Sequence, residues 1–398
     1  MGNQAIINKG QKYVMNTYGR YSLALVKGQG CKVWDADGKE YLDFVGGIAV
    51  CGLGHAHPEL VKVLQEQSQK LWHVSNLYWI EPQVELAEKL CQATGMDKAF
   101  FANSGAEVNE GAIKLARKYF YRKGQDRYEI IAMKNSFHGR TLATLSVTGQ
   151  TKYQEGYAPL LPGVKFAEIN NLDSVASLIT DKTAAVIVEP VQAEGGVNPS
   201  TTEFLQGLRK LCNEKGILLI FDEVQCGMGR TGKAMAYQHY GIKPDIVTLA
   251  KALAGGFPIG ALLATEEAVT GFAPGDHAST FGGNPLACAV ACKSVELLTE
   301  PAFLQNVVDT GEYLKEKLQE IVDTEASAKE VRGLGLLIGV EFDTEVKDLV
   351  NLCIANGLLV ISAGPNVLRM VPPLNINKAD VDAAVEILQK ALEQWKAY

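Results

Sequence analysis

One lysine, Lys251, lies between small and apolar neighbours in the run Thr248-Leu249-Ala250-Lys251-Ala252-Leu253-Ala254. Burial favours the uncharged form of an ammonium, and a neutral lysine amine is the nucleophile that forms Schiff bases with carbonyls. The glycine-rich Gly255-Gly256-Phe257-Pro258-Ile259-Gly260 follows, where missing Cβ atoms let backbone come close to a bound group. Taken alone, the stretch fits equally well a lysine that ends a strand with its head in water. Asp222 directly follows the apolar run 217–221. A carboxylate there is costly unless paired, and its partner is either a structural cation or a protonated heterocyclic nitrogen. Asn103-Ser104-Gly105-Ala106-Glu107 has the pattern of a turn into a helix, with Ser104 as N-cap and Glu107 completing a capping box. The same turn presents free N–H groups and the positive end of a helix dipole to an anion. Phe137, beside His138-Gly139-Arg140, reads as a core residue or as a ring on which a planar ligand stacks.

These residues need a scaffold that gathers them, and the apolar pattern supplies one. Strands are expected over 98–101, 129–133, 164–169, 184–188, 217–221 and 246–249, with a further one over 260–265. Helices are expected over 104–123 and 202–215. Continuous apolar strands alternating with helices indicate an α/β fold with a mostly parallel sheet covered on both faces. Ligands bind off the carboxyl ends of such strands. Those ends deliver 102–107, 135–140, 189–196, 222–225 and Lys251, five sets of polar residues in one place. Before this unit, residues 1–50 read as an arm and a small hairpin, 32–34 against 40–42 across a turn, and helices are expected over 58–71 and 81–93. After a Gly- and Ser/Thr-rich break at 271–284, the pattern gives a helix over 285–298. A smaller α/β lobe follows, with helices over 303–322 and 378–395 and strands over 336–342 and 358–361. The expected organisation is an arm and hairpin (1–50) packing with the small lobe, a large domain (51–284), and a linking helix with a small C-terminal domain (285–398).

Composition narrows the function classes. The 398 residues are 47% hydrophobic and 21% charged, enough apolar material for a large core. A net charge of −7 and the lack of a Lys/Arg-rich run argue against nucleic acid as a partner. Eight scattered cysteines with no C-x-x-C read as reduced thiols rather than as a disulfide framework or a zinc site. The first residues lack the apolar core of a signal peptide, and no apolar run reaches membrane-spanning length, so a cytoplasmic location is expected. Gly227-Met228-Gly229-Arg230-Thr231-Gly232 matches G-x-G-x-x-G but does not follow its strand directly, as a dinucleotide site requires. His55 and His57 read as turn residues, and no metal is expected.

In order along the chain, the motifs resemble those of the class III (ω-amino acid) aminotransferases, pyridoxal-phosphate enzymes of fold type I. The resemblance covers essentially the whole chain. It runs through Asn16-Thr17-Tyr18-Gly19-Arg20, Gly54-His55-Ala56-His57-Pro58, Asn103-Ser104-Gly105-Ala106-Glu107 and Phe137-His138-Gly139-Arg140-Thr141. It continues through Glu189-Pro190-Val191-Gln192-Ala193-Glu194-Gly195-Gly196, Asp222-Glu223-Val224-Gln225, Lys251 and Ser279-Thr280-Phe281-Gly282-Gly283-Asn284-Pro285. Each motif alone is weak; their order is specific. The resemblance implies that Lys251 bonds to the aldehyde of pyridoxal 5'-phosphate and later moves a proton. It implies that Asp222 pairs with the pyridine nitrogen, that Gln225 contacts the ring oxygen, and that Ser104, Gly105 and Ala106 hold the phosphate. Phe137 would stack on the ring, and Glu223 and Val224 would belong to the same binding segment. Thr280 would reach the phosphate from the neighbouring subunit, which makes a homodimer with a shared site, and Ser279 and Tyr18 would approach the substrate.

Transamination that returns through glutamate needs two cationic partners for two carboxylates, and arginine's donor fork suits them. Arg140 is the candidate for the distal carboxylate and Arg369 for the α-carboxylate. Glu194 would neutralise Arg369 while an ω-amine substrate is bound. The expected substrates are N-acetylornithine, 2-oxoglutarate and glutamate, in arginine biosynthesis. The apolar Ile48 leans the choice towards an acylated amine; ornithine, 4-aminobutyrate and succinylated amines stand as alternatives.

Overall fold

The computed structural model describes residues 1–396. Its central sheet has seven strands: β1 (Lys98–Ala102), β2 (Glu129–Met133), β3 (Val164–Ala167), β4 (Thr183–Val188), β5 (Leu218–Asp222), β6 (Ile246–Leu249) and β7 (Gly260–Ala264). Their spatial order is β1-β7-β6-β5-β4-β2-β3. The pairs β6/β5, β5/β4, β4/β2 and β2/β3 are parallel, whereas β7 runs antiparallel to both β6 and β1. One reversed strand in an otherwise parallel sheet leaves the expected fold class intact.

Strand residues alternate between two cores. Ile131, Val186, Leu219 and Phe221 face one cluster, and Ile130, Ala185, Ile187 and Ile220 face the other. Burial on both faces is why these strands read as unbroken apolar runs. Helix α1 (Gly105–Arg122) turns Val108, Ala112, Leu115, Ala116 and Tyr119 inward at helical spacing. Helix α2 (Thr202–Lys215) starts where the Thr201 hydroxyl accepts the Phe204 N–H at 3.1 Å, and it ends at Gly216, whose φ of +60° favours glycine.

The chain after 285 forms helix α3 (Pro285–Leu298), a second helix at Pro301–Thr324 and a four-stranded sheet. That sheet contains β8 (Ala328–Leu334), β9 (Leu337–Phe342), β10 (Ile361–Ser362) and β11 (Val367–Met370), in the order β8-β9-β11-β10. The single strand expected over 358–361 divides. Leu358–Leu359 pairs in parallel with the N-terminal strand Glu40–Asp43, while Ile361–Ser362 turns away to pair with β11. Residues from the two ends of the chain thus share a small sheet. Strands β8 and β11 and the helix Lys347–Asn356 are additions to the expected elements. So is the helix Asn3–Tyr13 within the arm, which buries no residue and so leaves no strong apolar stripe in the sequence. The G-x-G-x-x-G match lies in a run of turns, where Arg230 is buried and donates to the carbonyls of Leu336 and Pro372.

Candidate active site

The strand ends converge on a cavity of about 400 Å³ lined by Ser104, Gly105, Ala106, Phe137, Arg140, Asp222, Val224, Gln225 and Lys251, with Asn109, His138 and Glu189 among the other lining residues. Lys251 comes two residues after β6 and has a φ of +45°. A left-handed conformation in a residue with a Cβ is strained, by about 1–3 kcal/mol. The turn that follows supports it with Gly255 (φ +58°) and Gly256 (φ +117°). The Lys251 amine is pushed down to about 8, chiefly by burial; the Arg369 charge adds to this, and Glu194, Asp222 and Glu189 oppose it. The amine is therefore available as a nucleophile close to neutral pH.

Asp222 is the last residue of β5, the strand beside β6. Its Oδ2 accepts the Asn109 amide at 2.7 Å and lies 2.7 Å from His138 Nδ1, and its Oδ1 accepts the Val224 N–H at 3.0 Å. A carboxylate only accepts, so Nδ1 is the protonated nitrogen of His138. Burial alone would lower the His138 pKa, but the Asp222 hydrogen bond and charge outweigh it and raise it. Glu189, at the end of β4, is pushed up to about 7 by burial, against the pull of His138, and its Oε2 accepts the Phe137 N–H at 3.0 Å.

Across the cavity, α1 begins. Ser104 Oγ accepts the Glu107 N–H at 3.2 Å. The expected capping box is displaced: Glu107 Oε2 takes the N–H of Asn103 at 2.6 Å, one residue before the cap. The N–H groups of Gly105 and Ala106 have no protein acceptor among the described residues and sit at the positive end of an eighteen-residue helix. A side chain at 105 would crowd Val224, because a Cβ there would lie 2.8 Å from Val224 Cγ1 and the valine would have to move.

Arg369, on β11, is completely buried. Its Nη1 reaches Glu194 Oε1 at 2.8 Å, Gln225 Oε1 at 3.1 Å and the Ala193 carbonyl at 3.2 Å. Its Nε and Nη2 find no acceptor, so half of the guanidinium remains free for an anion. Burial pushes the Glu194 carboxyl up, but the charge and hydrogen bond of Arg369 outweigh that and hold it below the usual range. Both polar ends of Gln225 are engaged by this pair, since its amide also donates to Glu194 at 3.3 Å.

Other sites expected from sequence fall elsewhere. Glu223 does not face the cavity. Side chains alternate past the strand end, so Asp222 and Val224 share one side and Glu223 the other. There it accepts the N–H groups of Ala236 and Tyr237, both at 2.7 Å, and burial pushes it up to about 8. Its side chain is thus turned away from the cavity that Asp222, Val224 and Gln225 line. Tyr18 is exposed and packs only on Arg20, and Thr280 is exposed on the Gly-rich loop; neither lines the cavity of its own chain. Ser279 sits near the rim, where its Oγ accepts the Asn103 amide at 3.2 Å. Asn109, His138 and Glu189 were not singled out as site residues. Asn109 carries a readable signal: it follows Gly105 by four positions, one turn along the same helix face. Among the described residues there is no cluster of three or more metal-ligating side chains, and no helix is long and apolar enough to cross a membrane.

The family model for class-III aminotransferases matches residues 13–392, and the chain belongs to that family. It is 51% identical to a curated acetylornithine aminotransferase of Clostridium acetobutylicum, covering 96% of this chain and 100% of that one. Among solved structures, the ornithine aminotransferase of Toxoplasma gondii aligns with a TM-score of 0.95 at 31% identity, over 100% of this chain and 96% of that one. The N-acetylornithine aminotransferase of Stenotrophomonas maltophilia aligns with a TM-score of 0.85 at 37% identity, over 98% of this chain and 99% of that one.

The chain is therefore a pyridoxal-phosphate-dependent aminotransferase of fold type I. The cavity fits that coenzyme: unpartnered N–H groups at a helix N-terminus suit a phosphate, a buried carboxylate suits a ring nitrogen, and a deprotonatable amine suits an aldehyde.

Proposed function

We propose that the protein transfers the ω-amine of N-acetylornithine to 2-oxoglutarate, giving N-acetylglutamate 5-semialdehyde and glutamate, as a step of arginine biosynthesis in the cytoplasm. Five curated relatives, 47–51% identical over nearly the whole chain, carry the name acetylornithine aminotransferase, and they support this donor above the alternatives. The apolar Val50 lines the cavity and suits an acylated amine better than a free ammonium.

Pyridoxal phosphate supplies the electron sink that lets an amine change carbon skeletons. The chain supplies the rest. Lys251 would hold the aldehyde, and its amine would take up and return the substrate proton. Asp222, fixed by Asn109, His138 and the Val224 N–H, keeps the ring nitrogen protonated. Ser104, Gly105 and Ala106 would bind the phosphate, and Phe137 and Gln225, which also line the cavity, would hold the ring. Arg140 binds the carboxylate distant from the reacting carbon, and Arg369 binds the α-carboxylate of glutamate. Because Glu194 occupies Arg369 at 2.8 Å, the α-carboxylate site is closed to a donor that does not need it and opens when Glu194 swings aside. Arg369 comes from the proposed small domain (285–398) and Glu194 from the large one (51–284), so the gate spans the two.

The working unit is a homodimer. Trp72, Leu77, Tyr78, Trp79 and Phe281 are all strongly exposed, Trp79 at 93%. They belong to two segments that adjoin, since His73 packs on Phe281 and the Asn76 amide donates to the carbonyls of Ser279 and Gly282. An apolar surface of this kind marks a protein interface. In such a dimer Thr280, exposed beside Phe281, would be placed to reach the phosphate site of the second copy, and the substrate roles of Ser279 and Tyr18 rest on the family resemblance.

A panel of amino donors with 2-oxoglutarate tests the reading. N-acetylornithine should exceed ornithine and 4-aminobutyrate in kcat/KM by at least about tenfold, the order of discrimination that one buried polar mismatch provides. Equal or better use of ornithine would transfer the assignment to that substrate.

A further inference from the structure

Arg140 is exposed, and it makes no hydrogen bond or ion pair among the described residues. What holds it is aromatic. Its guanidinium carbon lies 3.9 Å from the centre of the Tyr153 ring and 5.5 Å from that of Phe137, and the two rings meet edge to face at 84°. Tyr153 belongs to the four-residue helix Thr151–Gln154, which is fastened to the Phe137 segment. The Gln150 amide donates to the Ser136 carbonyl at 3.1 Å, and the Gln154 amide donates to the Thr148 carbonyl at 2.9 Å. A free arginine loses much side-chain freedom when it captures a ligand. A guanidinium held 3.9 Å over an aromatic ring is positioned in advance, and a cation–π contact consumes none of its N–H donors in hydrogen bonds. The Lys152 ammonium also lies near this ring, at 4.8 Å. A compact ammonium cannot supply the planar fork, so it does not replace the stacked arginine.

We propose that Tyr153 is a specificity-determining positioning residue, which holds Arg140 over the cavity mouth so that its donor fork meets the distal carboxylate of the substrate. The proposal rests on the role given above to Arg140. It depends on the ring and not on the hydroxyl.

The test is a double-mutant cycle with Tyr153→Leu, Tyr153→Phe and Arg140→Ala, reading KM for 2-oxoglutarate and kcat separately. Tyr153→Leu should raise KM about fivefold with kcat within about twofold, the size expected for one cation–π contact, and Tyr153→Phe should restore the low KM. In the Arg140→Ala background, Tyr153→Leu should add nothing. The single-turnover rate with n-pentylamine, which has no carboxylate, should be the same with and without Tyr153→Leu. A rise in KM in Tyr153→Phe as large as in Tyr153→Leu, or a full effect of Tyr153→Leu in the Arg140→Ala background, overturns the proposal. A normal KM in Tyr153→Leu beside a raised KM in Arg140→Ala overturns the Tyr153 role alone. A normal KM in Arg140→Ala overturns the Arg140 reading and the Tyr153 role with it.

Discussion

The floor and the mouth of the cavity are built by opposite means. On the floor, Asp222 and His138 are buried and hydrogen-bonded to one another, and Arg369, which does not itself line the cavity, is buried against the lining residue Gln225 with Glu194 as its counter-charge. At the mouth, Arg140 is exposed and rests on the faces of two rings. A charge taken out of water must be paired, so floor residues form a network in which removal of one member strands the others. A charge left in water needs no counter-ion, and orientation is what the fold must supply. The two arginines show the contrast most clearly. The Arg369 charge is shared with Glu194, which is what the proposed gate requires, whereas Arg140 has no ionic partner among the described residues.

If the contrast holds, floor substitutions reduce the chemical step and mouth substitutions reduce binding. Asp222→Asn should lower kcat by about a hundredfold or more, with the fold and bound coenzyme retained by circular dichroism and absorbance. Arg140→Ala should instead raise KM for 2-oxoglutarate by about tenfold, the worth of one charge-assisted hydrogen-bond pair, and change kcat little. Near-normal kcat in Asp222→Asn, or a kcat loss in Arg140→Ala matching it, would erase the distinction. A smaller effect concerns pH. With its amine pushed down to about 8, Lys251 is mostly protonated at pH 7 and mostly neutral at pH 9. Capture of pyridoxal phosphate by the coenzyme-free protein, followed by absorbance, should accelerate up to about tenfold over that interval and then level off. A rate that is flat through this range, or that falls, would mean that burial does not tune the amine.

The floor was far more legible in the sequence than the mouth. Asp222 and Lys251 stand out because each comes at the end of a buried strand, although each taken alone also fits a structural role, and it is their coincidence that points to a site. Ser104 is readable from its turn chemistry alone. The turn of the Glu223 side chain away from the cavity was not legible, because it lies in the turn after the strand and is fixed by the distant Ala236 and Tyr237 N–H groups. Arg369 was found only through resemblance. Its strand β11 has four residues, and the buried arginine is made tolerable by Glu194, 175 positions away. No local pattern encodes such a partner. Tyr153 lies on a helix too short for periodicity to register, and its role depends on packing against Arg140, which only the folded chain displays. The helix Asn3–Tyr13 buries nothing and so imposes no apolar stripe.

The central claim is that one buried amine, set beside a buried carboxylate by two adjacent parallel strands, is the group that bonds to the coenzyme. Borohydride reduction of the coenzyme-bound protein, followed by proteolysis and mass spectrometry, reads this directly. The account predicts a phosphopyridoxyl group on the peptide containing Lys251 and no trapped label in Lys251→Ala. A label on a different lysine in the unaltered protein, or retained trapping in Lys251→Ala, would contradict it.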